Sequence, residues 1–147
     1  MKLQVATMLA LYSVIEFSAD PGRHVAAAEI ADKYRVSPHH LAKVLALLAH
    51  AGIVESVRGV GGGYRFCANA RRLTLMDVIS LFEDFGVEAP NNLVDARPQA
   101  VDRVLAGVLT EIDQIARATF SSITLATLLR LVREDLERGQ AAGSGPA

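Results

Sequence analysis

Apolar residues recur at helical spacing along most of the chain and switch to strand-like alternation between residues 53 and 67. Residues 3–18, rich in Leu, Ala, Met and Ile, read as a buried first helix that stops at the Asp20-Pro21-Gly22 turn. Residues 25–34 predict a short amphipathic helix with Ile30 inward and Glu29, Asp32 and Lys33 on its wet face; Ala26 and Ala27 give it a weak start. Val36 closes the turn into a third helix, where Leu41, Val44, Leu45 and Leu48 make one apolar stripe. Ser37 is placed to cap that helix, because its hydroxyl can accept an orphaned backbone N–H, and Pro38 falls at the first helical position, where a missing N–H costs nothing. Gly52 ends the helix as a left-handed cap. Residues 53–58 then alternate as a strand, 59–63 turn, and 64–67 return.

Beyond the hairpin, Thr74 and Asp77 form a capping-box-like start for a helix over 75–82, with Leu75, Val78, Ile79 and Phe82 inward. Residues 84–97 show no periodicity and read as a loop. A long helix begins near Pro98 and carries Val101, Leu105, Val108, Ile112, Ile115 and Thr119, whose spacings of 4, 3, 4, 3 and 4 make a heptad seam. At about 30 Å, such a helix has more apolar surface than a small domain needs, so the seam is assigned to a homodimer interface; the alternative is that it covers its own domain. Phe120, Ile123, Leu125, Leu128, Leu129 and Leu131 mark a last helix, capped by Ser121 or Ser122, that folds back on the first. Residues 139–147 read as a flexible tail. The expected architecture is mostly α with a small β-hairpin wing: a winged helix-turn-helix over 1–83, a loop over 84–97 and dimerisation helices over 98–138.

The chemistry lies on the polar side of the third helix and on the hairpin. His39, His40 and Lys43, with Ala46, stand opposite the apolar stripe near the helix N-terminus, the end that enters the major groove in helix-turn-helix proteins. Arg58 and Arg65 flank a tip of four glycines and one valine, small enough to lie against a minor groove of about 6 Å width. The candidate DNA contacts are Ser37, Pro38, His39, His40 and Lys43 on a recognition helix over 37–51. The wing over 54–67 adds Arg58, Gly59, Gly61, Gly62, Tyr64 and Arg65, and Arg72 follows as a backbone-phosphate contact. A metal role for His39 and His40 is the weaker reading, since adjacent helical positions point about 100° apart and no third ligand is near in sequence.

The run from Glu29-Ile30-Ala31 through Ser37 and Leu41 to Ala51-Gly52-Ile53-Val54, then Ser56-Val57-Arg58-Gly59, Gly61-Gly62-Gly63-Tyr64 and Leu75 to Glu83, resembles the Rrf-two family of bacterial transcription regulators, which includes the IscR, NsrR and CymR types. The VRGxGGGY wing is specific to that family, and the resemblance covers roughly residues 3–131. It implies a homodimeric, DNA-binding repressor or activator. Members that bind an iron-sulfur cluster carry three cysteines in the loop before the long helix, because thiolates are the usual cluster ligands. The loop here has none, and Glu83, Asp84, Glu88 and Asp95 are poor substitutes at a soft metal. No metal and no cofactor are therefore expected.

Charge changes the picture once it is placed along the chain. The net charge is −1, yet residues 1–72 hold nine Lys/Arg against five Asp/Glu, and residues 73–147 hold six against eleven. One half suits a polyanion, namely double-stranded DNA, and the other suits solvent or a protein partner. At 147 residues and 51 % hydrophobic, the chain suits one domain with a real core and an appended element. No apolar run approaches the ~20 residues that span a bilayer, and the single cysteine fits a reducing cytoplasm. That residue, Cys67, is either a small buried hydrophobe or a redox sensor whose thiol Arg65 acidifies. The signal sensed, a small molecule or a protein effector, is not written in the sequence. An enzyme is disfavoured: the glycines of 59–63 lie between two strands, whereas a nucleotide loop runs from strand into helix. A further alternative is a dimeric interaction module that has lost DNA binding, against which Arg58, Lys43 and the wing glycines argue.

Overall fold

The computed structural model describes residues 1–86 and 99–143. Among the described residues, six helices and one antiparallel hairpin follow in the order α1 (Val5–Ala19), α2 (Ala27–Tyr34), α3 (Pro38–His50), β1 (Val54–Val57), β2 (Gly63–Phe66), α4 (Leu75–Ile79), α5 (Gln99–Ser122) and α6 (Leu125–Gly143). The centre of the core is α1, which is apolar nearly all round and touches α3, α4, α6 and β2. Its Leu9, Ala10, Val14 and Phe17 are buried with Ile30 of α2, Leu41, Val44, Leu45 and Leu48 of α3, and Val54 and Phe66 of the hairpin. Two of the polar residues that α1 buries are satisfied locally: the Ser13 hydroxyl donates to the Leu9 carbonyl at 2.7 Å, and that of Ser18 to Ile15 at 3.2 Å.

The helix-turn-helix is α2 and α3. Arg35 makes the turn in the left-handed region at φ 52, and the Val36 N–H reaches back to the Ala31 carbonyl at 3.0 Å. Ser37 stands at the N-cap of α3 with extended backbone, but its side chain makes no capping bond; the helix start rests on Pro38 and on the Leu41 N–H, which donates to the Ser37 carbonyl. At the other end Gly52, φ 74, allows a Schellman closure. Its N–H donates to Ala49 and the Ile53 N–H to Leu48, both at 3.0 Å. Ile53 is thereby turned into the core and the hairpin leaves α3 at a fixed angle.

Several boundaries differ from those expected. Val25 is not helical. It pairs with Tyr64 as a one-residue bridge, with reciprocal N–H···O bonds of 2.9 Å, so α2 begins two residues later, at Ala27, with Ala26 as a cap that offers no side-chain bond. Thr74 and Asp77 do form a reciprocal capping box, but α4 is only five residues long and ends at Ile79. The long helix continues through Phe120 to Ser122. The last helix is capped by Thr124, whose Oγ1 accepts the Thr127 N–H at 3.2 Å, while the Ser122 hydroxyl donates to the Thr119 carbonyl of its own helix. Leu125 is buried and Leu128 and Leu129 pack on the core, but Leu131 is exposed. Helix α6 runs on to Gly143, five residues into the stretch read as a tail. Beyond Gly86 the cysteine-free loop lies outside the described residues, as do 144–147.

Two tertiary links place α5 and α6. The connector before α4 is stapled to the α5–α6 turn by a Thr74–Thr124 bridge and by the Leu75 N–H to Ile123 (2.9 Å), the Leu125 N–H to Leu73 (2.8 Å) and the Ala126 N–H to Ala70 (2.8 Å). Phe85 lies edge-on to Phe120 of α5 and under the Arg117 guanidinium, which also donates to the Phe85 carbonyl at 2.6 Å. None of the residues of α5 is buried.

Candidate nucleic-acid interface

The stripe that buries Leu41, Val44, Leu45 and Leu48 turns the rest of α3 outward. Pro38, His39, His40 and Lys43 are all exposed on that helix, with Ser37 exposed just before it. Lys43 makes no ion pair among the described residues, so its charge is free to meet a polyanion. An outward cation and two imidazoles on the first two turns of a helix are the groups needed to reach base edges and phosphates.

The hairpin pairs Val54 with Phe66, Glu55 with Arg65, Ser56 with Tyr64 and Val57 with Gly63. Val54 and Phe66 are buried, which fixes the base of the wing in the core and sends Glu55 and Arg65 to the outer face. Arg58, Gly59, Val60 and Gly61 are exposed and Gly62 is partly so, making a tip with one cation and almost no side-chain bulk. Gly63 lets the hairpin cross Val25 closely: a Cβ there would lie 2.5 Å from the Val25 carbonyl oxygen. Arg71 and Arg72 are exposed on the connector, whose turn is closed by the Arg72 N–H to the Asn69 carbonyl at 3.0 Å.

Two residues assigned to the interface from sequence are engaged elsewhere. Tyr64 faces inward: its ring centroid is 6.1 Å from that of Phe17, and its backbone is taken up by Val25. Strand alternation puts it on the same side as Phe66, so it supports the wing rather than projecting from it. Arg65 is exposed but its Nη2 is bonded to the Glu55 carboxylate, its cross-strand partner. Glu55 is the partner of Arg65 that sequence reading missed; its register opposite Arg65 was the available signal.

Cys67 falls just past β2 and is exposed, not buried, with its Sγ 3.3 Å from the Gly52 carbonyl oxygen. Partial desolvation and the nearby Glu55 charge push its thiol pKa up, and Arg65, already paired, offsets this only in part. Arg65 thus acts in the acidifying direction expected of it, but desolvation and Glu55 outweigh it. Among the described residues no three His, Cys, Asp or Glu side chains gather to hold a metal, and no helix is long and apolar enough to cross a membrane.

The profile of a family described as the Iron-dependent Transcriptional regulator Rrf2 matches residues 3–131. The chain belongs to the Rrf2 family. BadM of Rhodopseudomonas palustris, named as an HTH-type transcriptional regulator, is 47 % identical over 142 residues, spanning 95 % of this chain and 90 % of that relative. CymR (YrzC), the global cysteine regulator of B. subtilis, has a solved structure that matches at a TM-score of 0.71 and 25 % identity, covering 89 % of this chain and 98 % of that one. T. potens IscR shares the fold at a TM-score of 0.64 and 24 % identity, over 92 % and 90 % of the two chains. As a member of the Rrf2 family, this protein is a DNA-binding transcription regulator with a winged helix, and its relatives are regulators rather than enzymes.

Proposed function

We propose that this Rrf2 protein is a homodimeric repressor that binds an inverted-repeat operator, α3 in the major groove and the tip of the wing against the adjacent minor groove. The observation that carries the reading is the seam of α5: Val101, Leu105, Val108, Ile112 and Ile115 are between 49 % and 61 % exposed in the single chain. A heptad row left open over four turns is what a helix shows when its cover is a second copy of itself. Two-fold pairing through α5 sets two recognition helices side by side, and half-sites about one DNA turn apart are the geometric consequence. Ser37, Pro38, His39, His40, Lys43, Arg58 and the tip glycines make the groove contacts, and Arg72 holds backbone phosphate.

The protein works without a thiolate-ligated iron-sulfur cluster. The three-cysteine ligand set cannot be assembled from a chain whose one cysteine, Cys67, sits at the end of the wing. A small-molecule or protein effector acts by changing the spacing of the half-sites or the order of the wing, and DNA alters effector affinity by the same factor. Absorbance of freshly purified protein in the visible range would expose a cluster directly.

Genome-wide footprinting of the purified protein, followed by anisotropy titrations of the sites found, tests the central claim. A two-fold-symmetric footprint bound more tightly than random duplex is the expected result; equal affinity for both duplexes would remove sequence-specific regulation.

A further inference from the structure

We propose that Glu55 limits how strongly this protein grips non-cognate DNA, by holding Arg65 in an ion pair that a phosphate must displace; the proposal rests on the DNA-binding reading of the wing given above. Register places the two residues directly opposite, and the Arg65 guanidinium donates to the Glu55 carboxylate. Their side chains are 44 % and 42 % exposed, so DNA can reach the pair. Their neighbours in the strands, Val54 and Phe66, are buried, so the core fixes where the pair stands. Arg58, three residues on, makes no ion pair among the described residues. The wing therefore offers one free cation and one that is already neutralised.

This division has a chemical consequence. An exposed pair is weak, so Glu55 blocks no contact outright. It does subtract from the sequence-independent attraction, because Arg65 must exchange one anion for another and the freed carboxylate is left facing phosphate. Base-edge contacts from α3 are untouched. The loss falls on every duplex alike through the backbone, so it lowers the affinity for random DNA and operator by the same factor and leaves the ratio between them to the base-edge contacts.

The test compares wild type, E55Q, R65A and the double variant on operator and random duplexes across a salt series, with thermal melts to verify that each variant is folded. E55Q is expected to tighten random-duplex binding by up to about fivefold, the equivalent of about 1 kcal/mol, and to steepen the salt dependence by about one unit. In the R65A background the same change should have no effect. Unchanged binding of random duplex by E55Q overturns the proposal. So does an equal gain in the R65A background, which would make Glu55 a diffuse field charge, or a loss confined to the operator, which would make it a reader of one base. A wild type that fails to prefer its operator removes the DNA reading itself, whereas an operator preference with random-duplex affinity and salt slope that E55Q leaves unaltered removes only the role of Glu55.

Discussion

Gly63 shows how much can rest on one missing side chain. The Val25 carbonyl would lie 2.5 Å from any Cβ at that position, and Val25 is the residue that ties the wing to the segment ahead of α2. Gly63→Ala is expected to cost about 2 kcal/mol, read as a lower urea midpoint; an unchanged midpoint would mean the crossing has room to spare. At the tip, Arg58→Ala should weaken operator binding by about 1 to 3 kcal/mol and relax preference at its contact. Arg72→Ala should weaken all duplexes alike and reduce the salt slope by about one. Cys67 is open to reagents yet holds its proton, so labelling of the native protein should go to completion but slowly at neutral pH. If Cys67→Ala leaves the response of DNA binding to oxidants unchanged, the redox reading ends.

Among the elements, those built from nearest-neighbour chemistry were legible in the sequence and those built from distant contacts were not. The stripe of α3, the Gly52 closure and the Thr74–Asp77 box repeat at fixed short spacings, and each is found where the residues place it. A one-residue bridge such as Val25–Tyr64 has no period to detect, so α2 was read as starting early. The cap of α1 is the clearest case of a hidden long-range link. Gln4 gives α1 no side-chain cap; instead the Glu83 carboxylate, 79 residues away, accepts the Gln4 backbone N–H at 2.7 Å and the hydroxyl of buried Thr7. Those bonds hold the Glu83 pKa below the usual carboxylate range. A depressed pKa means stabilisation that is full above the unfolded value and is lost as pH falls through the folded one. Glu83→Gln should therefore lower the melting temperature at pH 7, and the gap to wild type should close as the pH is taken below the carboxylate range. A gap that persists in acid would show that charge is not what matters at this cap.

At the scale of the molecule, charge and apolar surface divide the chain in the same way. The basic first half carries α3 and the wing, and the acidic second half carries the open seam of α5. Ile112→Glu, at a position 57 % exposed in the single chain, should leave the subunit folded while preventing pairing. Sedimentation should then report a monomer, and operator affinity should fall more than tenfold because the two half-sites no longer act together. A dimeric Ile112→Glu protein with full affinity would point the seam elsewhere. The arrangement also ties this regulator to its own abundance. If α5 finds its shelter only in a sister chain, dilution alone loosens the fold, and the melting temperature should climb with concentration. A cell holding few copies would then keep part of the pool unpaired and off its promoters, so that the amount of protein made acts as a setting of the switch.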